Sequence, residues 1–382
     1  MHKGFPLMTA HADLFKGKRV LLRLDLNVPL ALNTIRSDFR IRASLPTLNF
    51  LRTHGARVII LSHIGKGDPK DSLRPIAEYL SRMMPLLFLD RFDTEANKRV
   101  VDAMNDGDVV MLENLRLHAG EKDNSPEFAA ELAALGDYYV NDGFAVSHRA
   151  HASIVGVPAL LPSFAGMRFA EEAAELSRVF DPQHPFLFIM GGTKVATKLP
   201  LLQKLSKLAD HIFVGGVVAN DFLKAKGYNV GCSICDTDMG EELLAISHDP
   251  KLITPMDVVV KGGGGNRTAL VDDILDGEMV ADIGRETVTA LEQVLGESKL
   301  VVWNGPLGFY EEGYTDGSRE LLERILGSNA YAILGGGDTV ALVESMGSIE
   351  RFGFVSTGGG AMLEYLANET LPGLDALRGL PA

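Results

Sequence analysis

Two cysteines in 382 residues are too few for a disulfide framework, which suits a reducing cytoplasm. The pair, Cys232 and Cys235 in "GCSICD", has C-x-x-C spacing. A redox site of that spacing wants its first Cys at a helix start, and a zinc site wants two further ligands close by. Neither context is evident, so the pair reads as incidental. Cations are also in deficit: 37 Lys and Arg against 50 Asp and Glu leave a formal net charge of −13. That excludes bulk attraction to nucleic acid or an anionic membrane, though not a local basic pocket. No apolar run approaches the roughly 20 residues that span a bilayer. The N-terminal "MHKGFPLMTAHADLFKGKR" has no continuous apolar segment of signal-peptide type. Two nucleotide fingerprints are missing as well. There is no G-x-x-x-x-G-K-[ST], and no G-x-G-x-x-G opens the first strand-to-helix turn with an acid about 20 residues on. The expectation is a soluble, cytoplasmic protein with no nucleic-acid or membrane partner.

What is present is a rhythm of short apolar runs and amphipathic stretches. "RVLLRLDLNV", "ARVIILSH", "DVVMLENL" and "DYYVNDGFA" read as strands. "RIRASLPTLNFLRTHG" reads as a helix closed by Gly55, and "SLRPIAEYLSRMM" as one capped by Ser72. In "SPEFAAELAALG" Ser125 is the N-cap, Pro126 takes the first helical position and Gly136 ends the helix. "FAGMRFAEEAAELSRVF", residues 164–180, reads as a single helix, and "DPQHP" breaks it. Strands then resume in "FLFIMGGTK", "HIFVGGVVAND", "PMDVVV", "LVVWNGPLG", "YAILGGGDT" and "GFVSTGGGA". At about 150 residues per domain the length allows two or three domains. The pattern predicts an α/β protein of two Rossmann-like domains, 1–165 and 166–365. Each has a parallel sheet flanked by helices, and helix 164–180 joins them as a hinge.

In such sheets ligands bind outside the carboxyl ends of the strands. Those ends differ between the halves. In the first they carry Arg23, Asp25 and Asn27, then His63 and Lys66, then Arg116 and His118, then His148, Arg149 and His151. Arg40 opens the helix after the first strand. Arg, Lys and His gathered there in an acidic protein predict an anion pocket, since the guanidinium fork matches carboxylate and phosphate. In the second half the ends carry glycine: Gly191 and Gly192, Gly215 and Gly216, Gly305, Gly335 to Gly337, and Gly358 to Gly360. Glycine allows close backbone approach, and helix starts offer N–H groups to anions. Five such turns favour a nucleotide. Lys194 and Lys198 lie four apart on one predicted helix face, near its start, where the dipole disfavours cations; an anionic partner explains them. "GGGDT" would present N–H groups to phosphates while Asp338 holds the accompanying Mg²⁺. "GGGGNR", Gly262 to Arg267, reads as a flexible loop.

The chain resembles the phosphoglycerate kinase family along nearly its whole length. The resemblance rests on "GKRVLLRLDLNVPL", "RIRASLPTL", "SHIGK", "ENLRLHAGE", "YYVNDGFAVSHRAHAS", "MGGTKVATKL", "VGGVVANDFLKAKGY", "VVWNGPLGFYE", "LGGGDT" and "VSTGGGAMLEYL", in that order. It implies two α/β domains facing a cleft, with the last segment, about 366–382, packed on the first. It implies 3-phosphoglycerate or 1,3-bisphosphoglycerate held by Asp25, Asn27, Arg40, His63, Lys66, Arg116 and Arg149. ATP or ADP would meet Gly191, Gly192, Lys198, Gly215, Gly216, Asn304, Glu311, Gly336, Gly337, Asp338 and Thr339, with Mg²⁺ on Asp338. Phosphoryl transfer would fall to Arg40, Lys194, Lys198 and the helix starts at Gly337 and Gly360. The acceptor is already a carboxylate, so no general base is needed, only charge neutralisation and in-line positioning. A monomer is implied too. Lys66 stands where the family usually has Arg, which keeps the charge and loses the fork. The segment from about 232 to 283 is shortened. Such departures motivate an alternative, a diverged relative that binds ligands or partners without turnover. A nicotinamide-dependent dehydrogenase is disfavoured by the missing dinucleotide fingerprint.

Overall fold

A computed structural model describes residues 4–193, 195–236 and 240–379. It divides into two units. One holds the residues up to Ala174 with those from Asn368 on, and the other runs from Glu175 to Ala367.

The first unit contains β1 (Arg19–Arg23), the short hairpin β2 (Leu30–Ala31) and β3 (Thr34–Ile35), β4 (Arg57–Leu61), β5 (Leu87–Leu89), β6 (Val109–Leu112), β7 (Tyr138–Asn141) and β8 (Ser163–Ala165). Six of these form one sheet in the order β5-β6-β4-β1-β7-β8, every pair parallel. The strands read as continuous apolar runs because they are covered on both faces; Val20 to Leu22 and Val58 to Leu61 are fully buried. Helices α1 (Phe39–Thr53), α2 (Arg74–Ser81), α3 (Thr94–Asp102), α4 (Ala119–Lys122) and α5 (Pro126–Ala133) supply the crossovers. α5 starts as its sequence predicts: the Phe128 N–H donates to Ser125 Oγ at 3.3 Å, with Pro126 in the first turn. Ser72 sits one residue outside its predicted role. Leu73 precedes α2, while Ser72 Oγ accepts from Arg74 N–H at 3.1 Å and donates to Glu113 at 2.7 Å.

α6 (Met167–Ser177) crosses the division between the units. It is shorter than the predicted 164–180. Phe164 and Ala165 belong to β8, paired with Val140 and Asn141 of β7, and Arg178–Phe180 form a separate 3-10 turn. The helix starts where side chains take its first N–H groups: Met167 donates to Thr47 Oγ1 and Phe169 to Asp142 Oδ1, both at 3.0 Å. A two-residue strand end flowing into an amphipathic helix leaves no break in hydrophobicity, which is why the sequence pattern runs through it.

The second unit contains β9 (Phe186–Met190), β10 (His211–Val214), β11 (Leu252–Ile253), β12 (Asp257–Gly262), β13 (Gly265–Leu270), β14 (Met279–Ile283), β15 (Leu300–Asn304), β16 (Tyr331–Gly335) and β17 (Phe354–Val355). Its main sheet is again all parallel, in the order β11-β10-β9-β15-β16-β17. The helices are α7 (Val195–Leu205), α8 (Gly216–Ala225), α9 (Gly240–Ser247), α10 (Arg285–Glu297), α11 (Asp316–Gly327), α12 (Gly337–Ser345) and α13 (Gly360–Asn368). Two expectations change here. "PMDVVV" is not a strand of the parallel sheet: β12 pairs antiparallel with β13 and β14 in a sheet of its own. "GGGGNR" is not a loose loop either. Gly263 and Gly264 make the turn of the β12–β13 hairpin, with Asn266 and Arg267 inside β13. The last helix, α14 (Pro372–Leu377), belongs to the first unit, where the Gly373 N–H donates to the Ser147 carbonyl at 2.8 Å.

Candidate active site

In the first unit four neighbouring strands, β6, β4, β1 and β7, deliver the predicted residues at their carboxyl ends. Arg40, at the start of α1, donates through Nη1 to Asp25 Oδ2 at 2.7 Å and to the Asn27 carbonyl at 3.2 Å. Asn27 Oδ1 accepts from Gly65 N–H at 3.0 Å, and Arg116 Nη1 donates to the Gly65 carbonyl at 2.5 Å. The loops after β1, β4 and β6 are thus tied together by the residues that would meet a ligand. Burial and the nearby charges of Arg23, Arg116, Arg40 and Arg149 hold His63 well below the ordinary histidine value, so these groups share one field. Arg149 is exposed and donates to His148 Nε2 at 3.2 Å. Lys66 is exposed on the turn after β4, its N–H given to Asp71 Oδ2 at 3.0 Å. Two strand-end residues fall elsewhere. His118 stacks on Phe128 with ring centroids 3.9 Å apart, a packing role. Arg23 is fully buried below the pocket.

Burial, then the guanidinium of Arg149, lowers His148 to about 4; burial, then Arg116, lowers His151 to about 4. Near neutral pH these rings are uncharged, and the arginines supply the positive charge. The linkage has a definite sign. Below about 6.5 the unfolded chain takes up protons that the folded chain refuses until about 4, so stability is lost as the pH falls through that window. One such histidine contributes a slope of up to about 1.4 kcal/mol per pH unit. Asp142, pushed up to about 6 by burial, acts with the opposite sign, so the informative quantity is a difference. His151→Gln should flatten the acid limb of unfolding free energy against pH by up to that slope; an unchanged limb would mean His151 is not held neutral.

In the second unit the five glycine turns follow β9, β10, β15, β16 and β17, adjacent strands of the sheet. They do not all offer N–H groups to a ligand. Gly192 N–H donates to the Pro306 carbonyl at 2.7 Å and Gly216 N–H to the Leu307 carbonyl at 3.0 Å. A Cβ on Gly191 would run into the Pro306 carbonyl, and one on Gly215 into Leu307. These glycines let three loops lock backbone to backbone. N–H groups remain for a ligand at helix starts: α12 begins after Gly336, at φ +94°, with no side-chain cap. Beside this floor lies a cavity of about 150 Å³, lined among others by Gly216, Asn220, Ile234, Met279, Phe309 and Asp338. Glu311 is on its rim as well. Sequence reasoning missed the apolar wall from β14 and Phe309, which carries no turn signal, and Asn220, a buried polar residue within the otherwise ordinary pattern of α8.

Lys198 is buried, and its Nζ donates to the Gly191 carbonyl at 2.5 Å. Burial lowers it to about 8. Asn304 is buried at the end of β15, its Nδ2 facing Met362 Sδ at 3.5 Å. Thr339 Oγ1 is buried with no partner among the described residues. Gly337 and Gly360 open α12 and α13. Lys194 lies outside the described residues. Asp338 is half-buried, its carboxyl raised by burial and by the like charge of Glu311. A carboxylate in that position gains from a cation. No cluster of three or more metal-ligating side chains occurs among the described residues. Mg²⁺ bound by one carboxylate and phosphate oxygens needs none, so the donor set fits that ion.

A parallel α/β unit with arginines at its strand ends, linked to another with a cavity beside glycine turns and an acid, is an arrangement suited to a phosphotransferase. The family model described as phosphoglycerate kinase matches residues 11–369. Phosphoglycerate kinase of Zymomonas mobilis is 42% identical over 95% of this chain and 96% of its own, and that of Methylorubrum populi 41% over the same shares. Among solved structures, phosphoglycerate kinase from Coxiella burnetii superposes with a TM-score of 0.83 at 34% identity, covering 98% of each chain. That from Pyrococcus horikoshii OT3 gives 0.84 at 32%, over 95% of this chain and 96% of its own. The chain belongs to the phosphoglycerate kinase family, enzymes that transfer a phosphoryl group to a carboxyl acceptor.

Proposed function

We propose that the chain catalyses the reversible, Mg²⁺-dependent transfer of a phosphoryl group between 1,3-bisphosphoglycerate and ADP, giving 3-phosphoglycerate and ATP, within glycolysis or gluconeogenesis. The observation that carries this reading is the first-unit pocket, where Arg40, Asn27 and Arg116 tie the loops after three neighbouring strands together through hydrogen bonds, beside a His63 held below its ordinary value. Such a site suits a small ligand with carboxylate and phosphate ends. Asp25, Asn27, Arg40, His63, Lys66, Arg116 and Arg149 hold the phosphoglycerate. Gly191, Gly192, Gly215, Gly216, Asn304, Glu311 and the Gly336 to Thr339 turn hold the nucleotide. Arg40, Lys194, Lys198 and the helix starts at Gly337 and Gly360 neutralise the moving charge. Asp338 holds Mg²⁺, which when bound draws charge from the phosphate oxygens. The enzyme acts as a cytoplasmic monomer, without nucleic-acid or membrane partners. No described helix is long and apolar enough to cross a membrane.

The test is phosphorylation of 3-phosphoglycerate by the purified chain with Mg-ATP. Turnover should vanish when Mg²⁺ is chelated and return when it is restored. Asp338→Asn should raise the Mg²⁺ requirement by about 10–100-fold. Binding of both ligands with no turnover would leave a ligand-binding protein and end the enzymatic reading.

A further inference from the structure

Beneath the first-unit pocket lies a chain of buried polar groups that the proposed ligand contacts do not use. Glu121, on α4, is fully buried. Its Oε2 accepts from the Ser153 N–H at 3.0 Å and its Oε1 from the Ser153 hydroxyl at 2.7 Å. The hydroxyl oxygen of Ser153 in turn accepts from Arg23 Nε–H at 2.9 Å. Arg23, at the end of β1 and fully buried, donates through Nη1 to the Leu24 carbonyl at 2.5 Å. Its Nη2 lies 3.2 Å from His63 Nδ1.

The last contact fixes a proton. A guanidinium has donors and no acceptor, so His63 Nδ1 must present its lone pair. In a neutral imidazole the proton then sits on Nε2. An imidazolium would set an N–H against an N–H. We propose that Arg23 is a positioning residue for the phosphoglycerate site, locking His63 as the neutral Nε2–H tautomer, and that Glu121 holds Arg23 in place through Ser153. His63 thereby offers an anionic ligand a hydrogen-bond donor that stays neutral near neutral pH, while the charge comes from arginine. The inference rests on the phosphoglycerate reading of this pocket for its consequence, and on the buried chain for its geometry.

Every charged group around the ring acts the same way or is spoken for. Arg23 on β1, Arg40 on α1, Arg116 after β6 and Arg149 after β7 all oppose a second positive charge. Of the carboxylates, Asp25 is paired with Arg40 and Glu121 is engaged by Ser153. His151 Nδ1, at 3.7 Å from Glu121 Oε1, is beyond hydrogen-bond reach.

The experiment is nitrogen NMR of the histidine rings in the full-length wild-type protein, with His63 assigned by comparison with His63→Gln. The expected spectrum shows Nδ1 bare and Nε2 protonated, unchanged from about pH 5 to 8. A Nδ1–H tautomer, or a titration near the ordinary histidine value, overturns the proposal. Kinetics give a second readout in Arg23→Met, which removes the guanidinium charge and its donors. The ratio of its KM for 3-phosphoglycerate to the wild-type KM should change with pH by at least about threefold over that range, as His63 begins to titrate. A purely structural role would lower thermal stability and leave the ratio flat, again overturning the proposal. Absence of turnover with 3-phosphoglycerate would count against the function and leave the tautomer result standing, so the two failures are distinguishable.

Discussion

Arg40→Ala should lower kcat by about 10³-fold or more, the scale set by arginines that neutralise a transferring phosphoryl group. In the resting protein the Arg40 guanidinium lies against Asp25 and the Asn27 carbonyl. Its side chain is 26% exposed against 6% for Asp25, so it keeps donors free for a ligand. A planar fork has five donors, and these contacts use few of them. The loss should therefore appear in kcat and kcat/KM together, because the contact that matters forms as the phosphoryl group moves. A rise in KM with kcat preserved would reassign Arg40 to ground-state binding. Arg40→Lys separates charge from shape: a point charge without the fork should recover part of the rate. Truncation also leaves the Asp25 carboxylate buried without its partner, so thermal unfolding must be followed in parallel to keep a folding defect from passing as a kinetic one.

The second large effect concerns stability. Trp303→Ala should cost about 3–5 kcal/mol, the range for emptying a large aromatic site in a core. Trp303 is fully buried in β15, the strand between β9 and β16, and its indole N–H donates to the Gly305 carbonyl at 2.7 Å. The substitution removes packing from the sheet and unpins the turn that carries Gly305. Against a total stability of about 5–15 kcal/mol that is a large fraction. Urea unfolding followed by circular dichroism measures it, since the only tryptophan is lost with the substitution. Trp303→Phe keeps most of the apolar area and loses the hydrogen bond, so it should cost about 1 kcal/mol plus a small cavity term. Equal losses in the two variants would place the damage in the turn and not in the core.

Much of this molecule is legible before any coordinates, for identifiable reasons. Buried parallel strands leave apolar runs, and the rule placing ligands at their carboxyl ends picks out Asp25, Arg40, His63, Arg116 and Arg149 together. Of these, Arg40, Arg116 and Arg149 all bear on His63, and Asp25 is joined to Arg40 by a hydrogen bond. What a strand end cannot tell is which way its last side chain turns. Arg23 and Asp25 look equivalent in "RLDLN", and both are buried, yet Arg23 turns to Ser153 and His63 while Asp25 meets Arg40. Glu121 and Ser153 are invisible for a related reason: they stand 32 positions apart and meet only in the folded unit. The β12–β14 sheet is misread because β12 has the same apolar character as a parallel strand, and pairing direction leaves no mark in a single strand. The glycines read as places where backbone approaches a ligand; in the structure Gly191, Gly192 and Gly216 meet another loop, and a sequence does not say which of the two the approaching group will be.

That last distinction bears on how this protein can change. Under the second-unit cavity backbone meets backbone, where the Gly192 N–H is given to the Pro306 carbonyl and the Gly216 N–H to the Leu307 carbonyl. Backbone held this way is hard to reshape by small steps; a methyl group at Gly191 runs into the Pro306 carbonyl, which has no side-chain freedom to yield. Ile234, Met279 and Phe309 on the walls can be exchanged for other apolar shapes without touching those loops. Under the nucleotide reading proposed for this cavity, variation in the base it accepts should therefore accumulate on the walls while the floor stays constant, and a library built to alter nucleotide preference has few other positions worth sampling.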